Sequence, residues 1–188
     1  LTPLLPLYLS EHFHATKDMI GLVLSGYSVT AMLFRPFSGF MVDNFQRKKV
    51  LMVTFFVFFI FFAGYLMAGT LLLFAIVRTL HGGPFGAITV ANSTVAIDVL
   101  PSSRRNEGIG YYGLSNNLGM AIAPSVGIFL YALTDSFDMI FILALAIAGV
   151  GLAVDSTLKL KPRPINKTGR TVSLDRFFLL KGWALAAN

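Results

Sequence analysis

The chain has no cysteine, which excludes disulfides and thiolate metal sites. Charge is scarce as well: Asp, Glu, Lys and Arg make up 13% of 188 residues, where a soluble domain carries ~25%. Polar faces at helical spacing are missing from the long apolar runs, and so is the ~10-residue alternation of a membrane β-barrel. No phosphate-cradling loop and no nucleophile with its base can be read, and the glycine-rich stretches follow no strand. The three histidines, His12, His14 and His81, are isolated and make no metal cluster. No enzyme chemistry, metal or cofactor is expected. An initiator Met and a recognisable signal peptide are also missing, and the apolar opening at 1–9 is too short to span. It reads as the tail of a truncated helix.

What is present is apolar bulk. Hydrophobic residues make up 55% of the chain and phenylalanine alone supplies 18. Runs of ~20 apolar residues recur, the length that crosses a hydrocarbon core. Only helices satisfy the backbone within such runs. The expected architecture is an all-α integral membrane bundle with one partial and five complete spans. Their limits are about 1–9, 18–43, 48–68, 71–99, 104–133 and 137–160. Residues 161–181 read as a basic linker with a short amphipathic helix capped by Ser173, and 182–188 as the start of a seventh span.

The net charge of +6 could suggest nucleic acid, but the positive residues sit in short connections and a tail. Twelve lie on one side: Arg47, Lys48, Lys49, Arg104, Arg105, Lys159, Lys161, Arg163, Lys167, Arg170, Arg176 and Lys181, against Lys17 on the other. The basic side is expected to be cytoplasmic, so both ends of the six-span unit face the cytoplasm.

Two arginines interrupt apolar runs. A cation near mid-bilayer costs at least ~2.5–3.5 kcal/mol, so each needs a reason. Arg35, beside Pro36, either snorkels to the headgroups or lines a cavity at a proline kink. Arg78 is too costly to bury idly and is expected to be functional. His81 lies one turn from it on the same face, where it could pack neutrally between helices or titrate. Gly82, Gly83 and Gly86 suit close helix contact better than ligand binding. Asn92, with Ser93, and Ser115, Asn116 and Asn117 are polar positions inside spans. They could face a substrate cavity or bridge helices. Phe55 to Phe62 reads as a lipid-facing or packing surface.

Three segments carry a resemblance. The first is Gly39-Phe-Met-Val-Asp43-Asn-Phe-Gln46-Arg47-Lys48-Lys49, between the second and third spans. The second is Arg78-Thr-Leu-His81-Gly82-Gly83-Pro84-Phe-Gly86. The third is Gly119-Met-Ala-Ile-Ala123-Pro124-Ser125-Val-Gly127. In order and placement they resemble the second-to-third-helix loop, the fourth-helix arginine pattern and the fifth-helix glycine–proline motif of major facilitator superfamily transporters. Gln46 stands where that family has a second glycine, Ala123 where it has the glycine before proline, and Ile128 where it has a final glycine.

The resemblance implies the N-terminal half of that fold, two inverted three-helix repeats, nearest the drug and metabolite exporters. It also implies alternating access around a midplane cavity, with a small-molecule substrate, protons and membrane lipid as partners, and with the second half of the same protein. By resemblance Gly39, Asp43, Arg47, Lys48 and Asp98 form a conformational switch in which Arg47 pairs with Asp98. Arg78, with His81, would serve proton coupling. Gly119, Ala123, Pro124 and Gly127 would serve helix packing. Arg35, Asn92, Asn116 and Asn117 are the cavity candidates. No carboxylate lies near mid-bilayer in spans two to six, so a titrating acid is expected elsewhere in the protein. A proton-coupled uptake symporter, a uniporter, a half-size carrier that dimerises and a non-transporting membrane subunit remain alternatives.

Overall fold

The computed structural model describes residues 2–160, and every described regular element is helical. A 3-10 turn, Thr2–Leu4, leads into α1 (Leu5–Phe13). The long helices follow: α2 (Lys17–Asn44), α3 (Arg47–Met67), α4 (Leu71–Val99), α5 (Arg105–Thr134) and α6 (Phe137–Thr157). Five segments, with the fourth taken from Ser102, are long and apolar enough to cross a membrane. The expected linker at 161–181 and seventh span at 182–188 lie outside the described residues.

Local chemistry explains where the helices start and stop. Thr16 and Thr70 adopt extended backbone, and their hydroxyls accept from the Met19 and Leu73 N–H groups at 3.4 and 3.3 Å. Each satisfies an otherwise orphaned donor of a first turn. At the other ends, His14 and Asp135 take left-handed conformations that turn the chain back sharply. The Ala15 N–H reaches the Leu9 carbonyl at 3.1 Å, and that of Asp135 the Tyr131 carbonyl at 2.8 Å. This cap carries α1 on to Phe13, past the expected limit near Leu9, and takes Glu11 and His12 into the helix. At the far end α6 closes at Thr157, short of the expected limit near Leu160, because Leu158 leaves helical geometry.

The most intimate pairing joins α2 and α4. A Cβ at Gly82 would run into the carbonyl oxygen of Tyr27, and one at Gly86 into that of Ala31. Glycine there lets the two backbones touch. Gly26 takes the side chain of Thr79 in the same way, and Ser38 Oγ donates to the Ala87 carbonyl at 2.8 Å. With dispersion as the main force between helices in lipid, such contact replaces the hydrophobic effect as the organising term.

Two buried clusters flank this seam. One is aromatic, with Tyr8, Phe62, Tyr65, Phe74 and Phe141 around Leu5 and Leu9. The other is aliphatic, with Val42, Val50, Leu51, Ile88, Ala91 and Val95. The phenylalanines of α3 divide: Phe62 is buried, Phe55 and Phe59 meet the bare backbone of Gly151 and Gly149 on α6, and Phe56 is exposed. Helix α5 is peripheral, with Gly127 its one buried residue. It is pinned at its end by the Tyr131 hydroxyl, which donates to Glu11 Oε2 at 2.6 Å.

The seam is directly testable. Gly86→Ala forces a methyl group into a backbone oxygen and should lower stability by about 1–3 kcal/mol. Gly21→Ala, with nothing within 4 Å of the added carbon, should be neutral or stabilising by up to ~1 kcal/mol through helix propensity. Thermal unfolding in detergent compares the two.

Candidate functional site

The residues singled out by type gather in two places. The first is buried between α2, α3 and α4. Arg78 is 3% exposed and His81 1% exposed. They sit three residues apart on α4, so their side chains leave one face together. The guanidinium finds only neutral partners among the described residues. Arg78 Nη1 donates to the Tyr65 hydroxyl at 3.2 Å and Nη2 to the Thr2 hydroxyl at 3.1 Å. Its carbon stands 3.7 Å from the centre of the Tyr27 ring, a cation–π contact across the α2–α4 seam. The Tyr65 hydroxyl also lies 2.7 Å from His81 Nδ1.

Around the imidazole, Phe58, Phe61 and Phe62 form an apolar wall, with ring centroids 4.5, 5.3 and 5.0 Å away. Arg78 Nε and His81 Nε2 are buried without a hydrogen-bond partner among the described residues. The sequence had pointed to Arg78 and His81 but to none of Tyr65, Tyr27 or Thr2. Tyr65 is the single tyrosine of α3. A hydroxyl in that phenylalanine-rich helix was the signal available.

The second place is the end of the bundle where α2 turns into α3. Arg47 Nη1 forms an ion pair with Asp98 Oδ1 at the end of α4. The pair is partly shielded, with side-chain exposures of 17% and 35%, so its worth lies near the upper part of the ~0.2–1 kcal/mol range of exposed pairs. The adjacent Lys48 reaches a third helix end. Its Nζ donates to the Ser156 carbonyl at 2.8 Å and to the Leu158 carbonyl, capping orphaned acceptors at the end of α6. Consecutive residues of α3 thus tie down the ends of α4 and α6.

Asp43 is exposed, with no hydrogen bond or ion pair among the described residues, and Gly39 is half-buried. Gln46 has φ −63° and ψ 117°, a backbone open to any residue, so this turn closes without glycine. Arg104, one of the basic residues of this side, pairs with Glu107 at 2.9 Å on the surface.

The remaining candidates are more scattered. Arg35, Asn116 and Asn117 are exposed, Asn92 is half-buried, and no hydrogen bond joins any of the four to another. Gly119 has open space around it and Ala123 is exposed, whereas Pro124 is half-buried. Gly127 does pack, receiving the side chain of Leu4. The α5 motif therefore presents most of its small residues on a face that no described residue covers.

The lysine cap yields a specific expectation. Lys48→Met should free the last carbonyls of α6, lowering stability by about 0.3–1 kcal/mol. Amide exchange should quicken in the last turn of α6. Lys48→Arg should retain protection. Hydrogen–deuterium exchange resolved to 150–158 reads the difference.

Comparisons with known proteins place the chain. The model of the Major Facilitator Superfamily matches residues 1–187. The quinolone resistance protein NorA of Staphylococcus aureus (strain MRSA252) is 24% identical over 156 residues, covering 81% of this chain and 39% of NorA. The staphylopine export protein of Staphylococcus aureus (strain Mu50 / ATCC 700699) is 30% identical over 114 residues, covering 61% of this chain and 28% of that protein. The chain thus spans less than two-fifths of the length of these relatives. Its match over nearly all residues and its five long apolar helices lead to one assignment: the chain belongs to the Major Facilitator Superfamily, as part of a multi-pass plasma-membrane protein.

Proposed function

We propose that this chain forms the N-terminal half of a secondary carrier that exports a small molecule by alternating access in exchange for protons. The observation that carries the reading is Arg78, a permanent cation 3% exposed and held by hydroxyls and a ring face, with no acid paired to it among the described residues. A buried charge without a counter-charge biases the ionisation of any acid that approaches it, because a low dielectric strengthens the interaction several-fold over water. Proton release from such an acid can then be tied to which way the carrier faces. The relatives support the direction, since their names speak of quinolone resistance and of staphylopine export.

The basic end would supply the mechanical part. Arg47 and Lys48 join α3 to the ends of α4 and α6. An ion pair at 17% and 35% exposure is strong enough to favour one closure and weak enough to open. We take this end, rich in Lys and Arg, as cytoplasmic. Asp43, which has no partner among the described residues, is available to bind the second half, and the exposed face of α5 with Gly119 and Ala123 is available to pack against it. Arg35, Asn92, Asn116 and Asn117 would contribute to the cavity that forms between the halves. The carrier would use no chemical transformation of its substrate.

The test uses the full-length carrier in proteoliposomes with an imposed pH gradient and a quinolone or staphylopine as probe. Wild type should move at least one probe faster with the gradient than without it. Arg78→Ala should cut gradient-driven flux at least tenfold, and Arg78→Lys should recover part of it. Gradient-driven flux that is unchanged in Arg78→Ala would remove this residue from coupling.

A further inference from the structure

The hydroxyl of Tyr65 hydrogen-bonds both members of the α4 pair, and its hydrogen-bond arithmetic is restrictive. Its oxygen already accepts from Arg78 Nη1 at 3.2 Å. A guanidinium cannot accept in return, so the hydroxyl proton must be used elsewhere. His81 Nδ1, at 2.7 Å, is the acceptor within reach. Were Nδ1 to carry a proton instead, the Tyr65 oxygen would accept twice and its own proton would be stranded in a buried site. The favoured arrangement therefore runs in one direction, from Arg78 through Tyr65 to His81. The imidazole proton is left on Nε2, which makes no hydrogen bond among the described residues; the ring faces Phe58, Phe61 and Phe62, and the backbone of Phe58 is the polar group beside it.

The geometry points to Tyr65 as a positioning residue that fixes His81 as the Nε2–H tautomer and holds the Arg78 guanidinium against the α2 ring of Tyr27. Its own placement is firm. The ring is buried between Phe74 and Phe141, with centroids 5.1 and 5.6 Å away, and α3 holds it in register with α4. Removing the oxygen would leave Arg78 with the Thr2 hydroxyl and the Tyr27 face as its partners among the described residues. It would also remove the hydrogen bond that holds Nδ1 as an acceptor. Because Phe fills the same space, Tyr65→Phe deletes the link and keeps the packing. The consequence for flux rests on the carrier reading proposed above, whereas the tautomer assignment stands on geometry alone.

The experiment is nitrogen-15 NMR of histidine-labelled full-length carrier in lipid nanodiscs, with the His81 signal assigned by its loss in His81→Gln. In wild type we expect His81 as a single Nε2–H form. In Tyr65→Phe we expect a mixture of tautomers. Proton-driven flux of the same variant should fall at least tenfold, while probe affinity stays within about twofold. Wild-type His81 protonated on Nδ1 overturns the assignment without need of any variant, as does an unchanged tautomer in Tyr65→Phe. A shifted tautomer with flux unchanged overturns the role in coupling. If wild-type flux ignores the pH gradient, the carrier reading fails while the NMR result still decides the place of Tyr65.

Discussion

A buried guanidinium with no acid partner among the described residues organises this bundle. Its cost in an apolar medium is several kilocalories per mole if nothing meets it. Helix α4 supplies the cation, and its surroundings answer with neutral groups: α3 the Tyr65 hydroxyl, α2 the Tyr27 ring and the turn before α1 the Thr2 hydroxyl. The close approach of α2 and α4 is a condition for this. Gly82 lies against the Tyr27 backbone, so the contact that brings the helices together also brings the ring over the cation. Packing and electrostatics are therefore one constraint at this point in the fold. Loosening the seam would withdraw the ring from the charge.

The opposite regime holds where α2 turns into α3. There the charges are partly wet and paired, with Arg47 on Asp98 and Lys48 on the end of α6. Such contacts are individually weak, and their value lies in number and position. Three helix ends are gathered by two adjacent side chains, so a change at the loop would be felt at the end of α6. A deep network that is costly to disturb and a shallow one that is easily broken suit a carrier that changes shape around a fixed centre.

Much of the helical frame was legible in the sequence, for a physical reason. Apolar runs of bilayer length admit one backbone solution, and α2 through α5 begin and end at or within a residue or so of the limits read from hydrophobicity and charge. The misses occurred where hydrogen bonds set the boundary. The left-handed His14 extended α1 through Glu11 and His12, which composition alone assigned to a loop. Of the site, the spacing on one helix showed that Arg78 and His81 share a face. The residues that meet them lie on other helices, and periodicity along one helix carries no information about register between helices. Arg47 facing Asp98 was expected from the family resemblance, and the two do form an ion pair. The cap made by Lys48 went unforeseen, since its acceptors are backbone carbonyls that no side chain announces. The turn at Gln46 shows the converse, because a departure from the family pattern proved compatible with ordinary backbone geometry.

In the proposed carrier, substrate moves against protons and coupling depends on the buried guanidinium. Proton movement itself is the most direct observable. Full-length carrier would be reconstituted with a pH-reporting dye inside the vesicles, with no pH gradient imposed, and a quinolone or staphylopine gradient would be applied from outside. Inward movement of the probe should drive protons outward, so that the lumen becomes alkaline, and Arg78→Ala should abolish this signal. Probe entry with no change in luminal pH would contradict the proposed coupling.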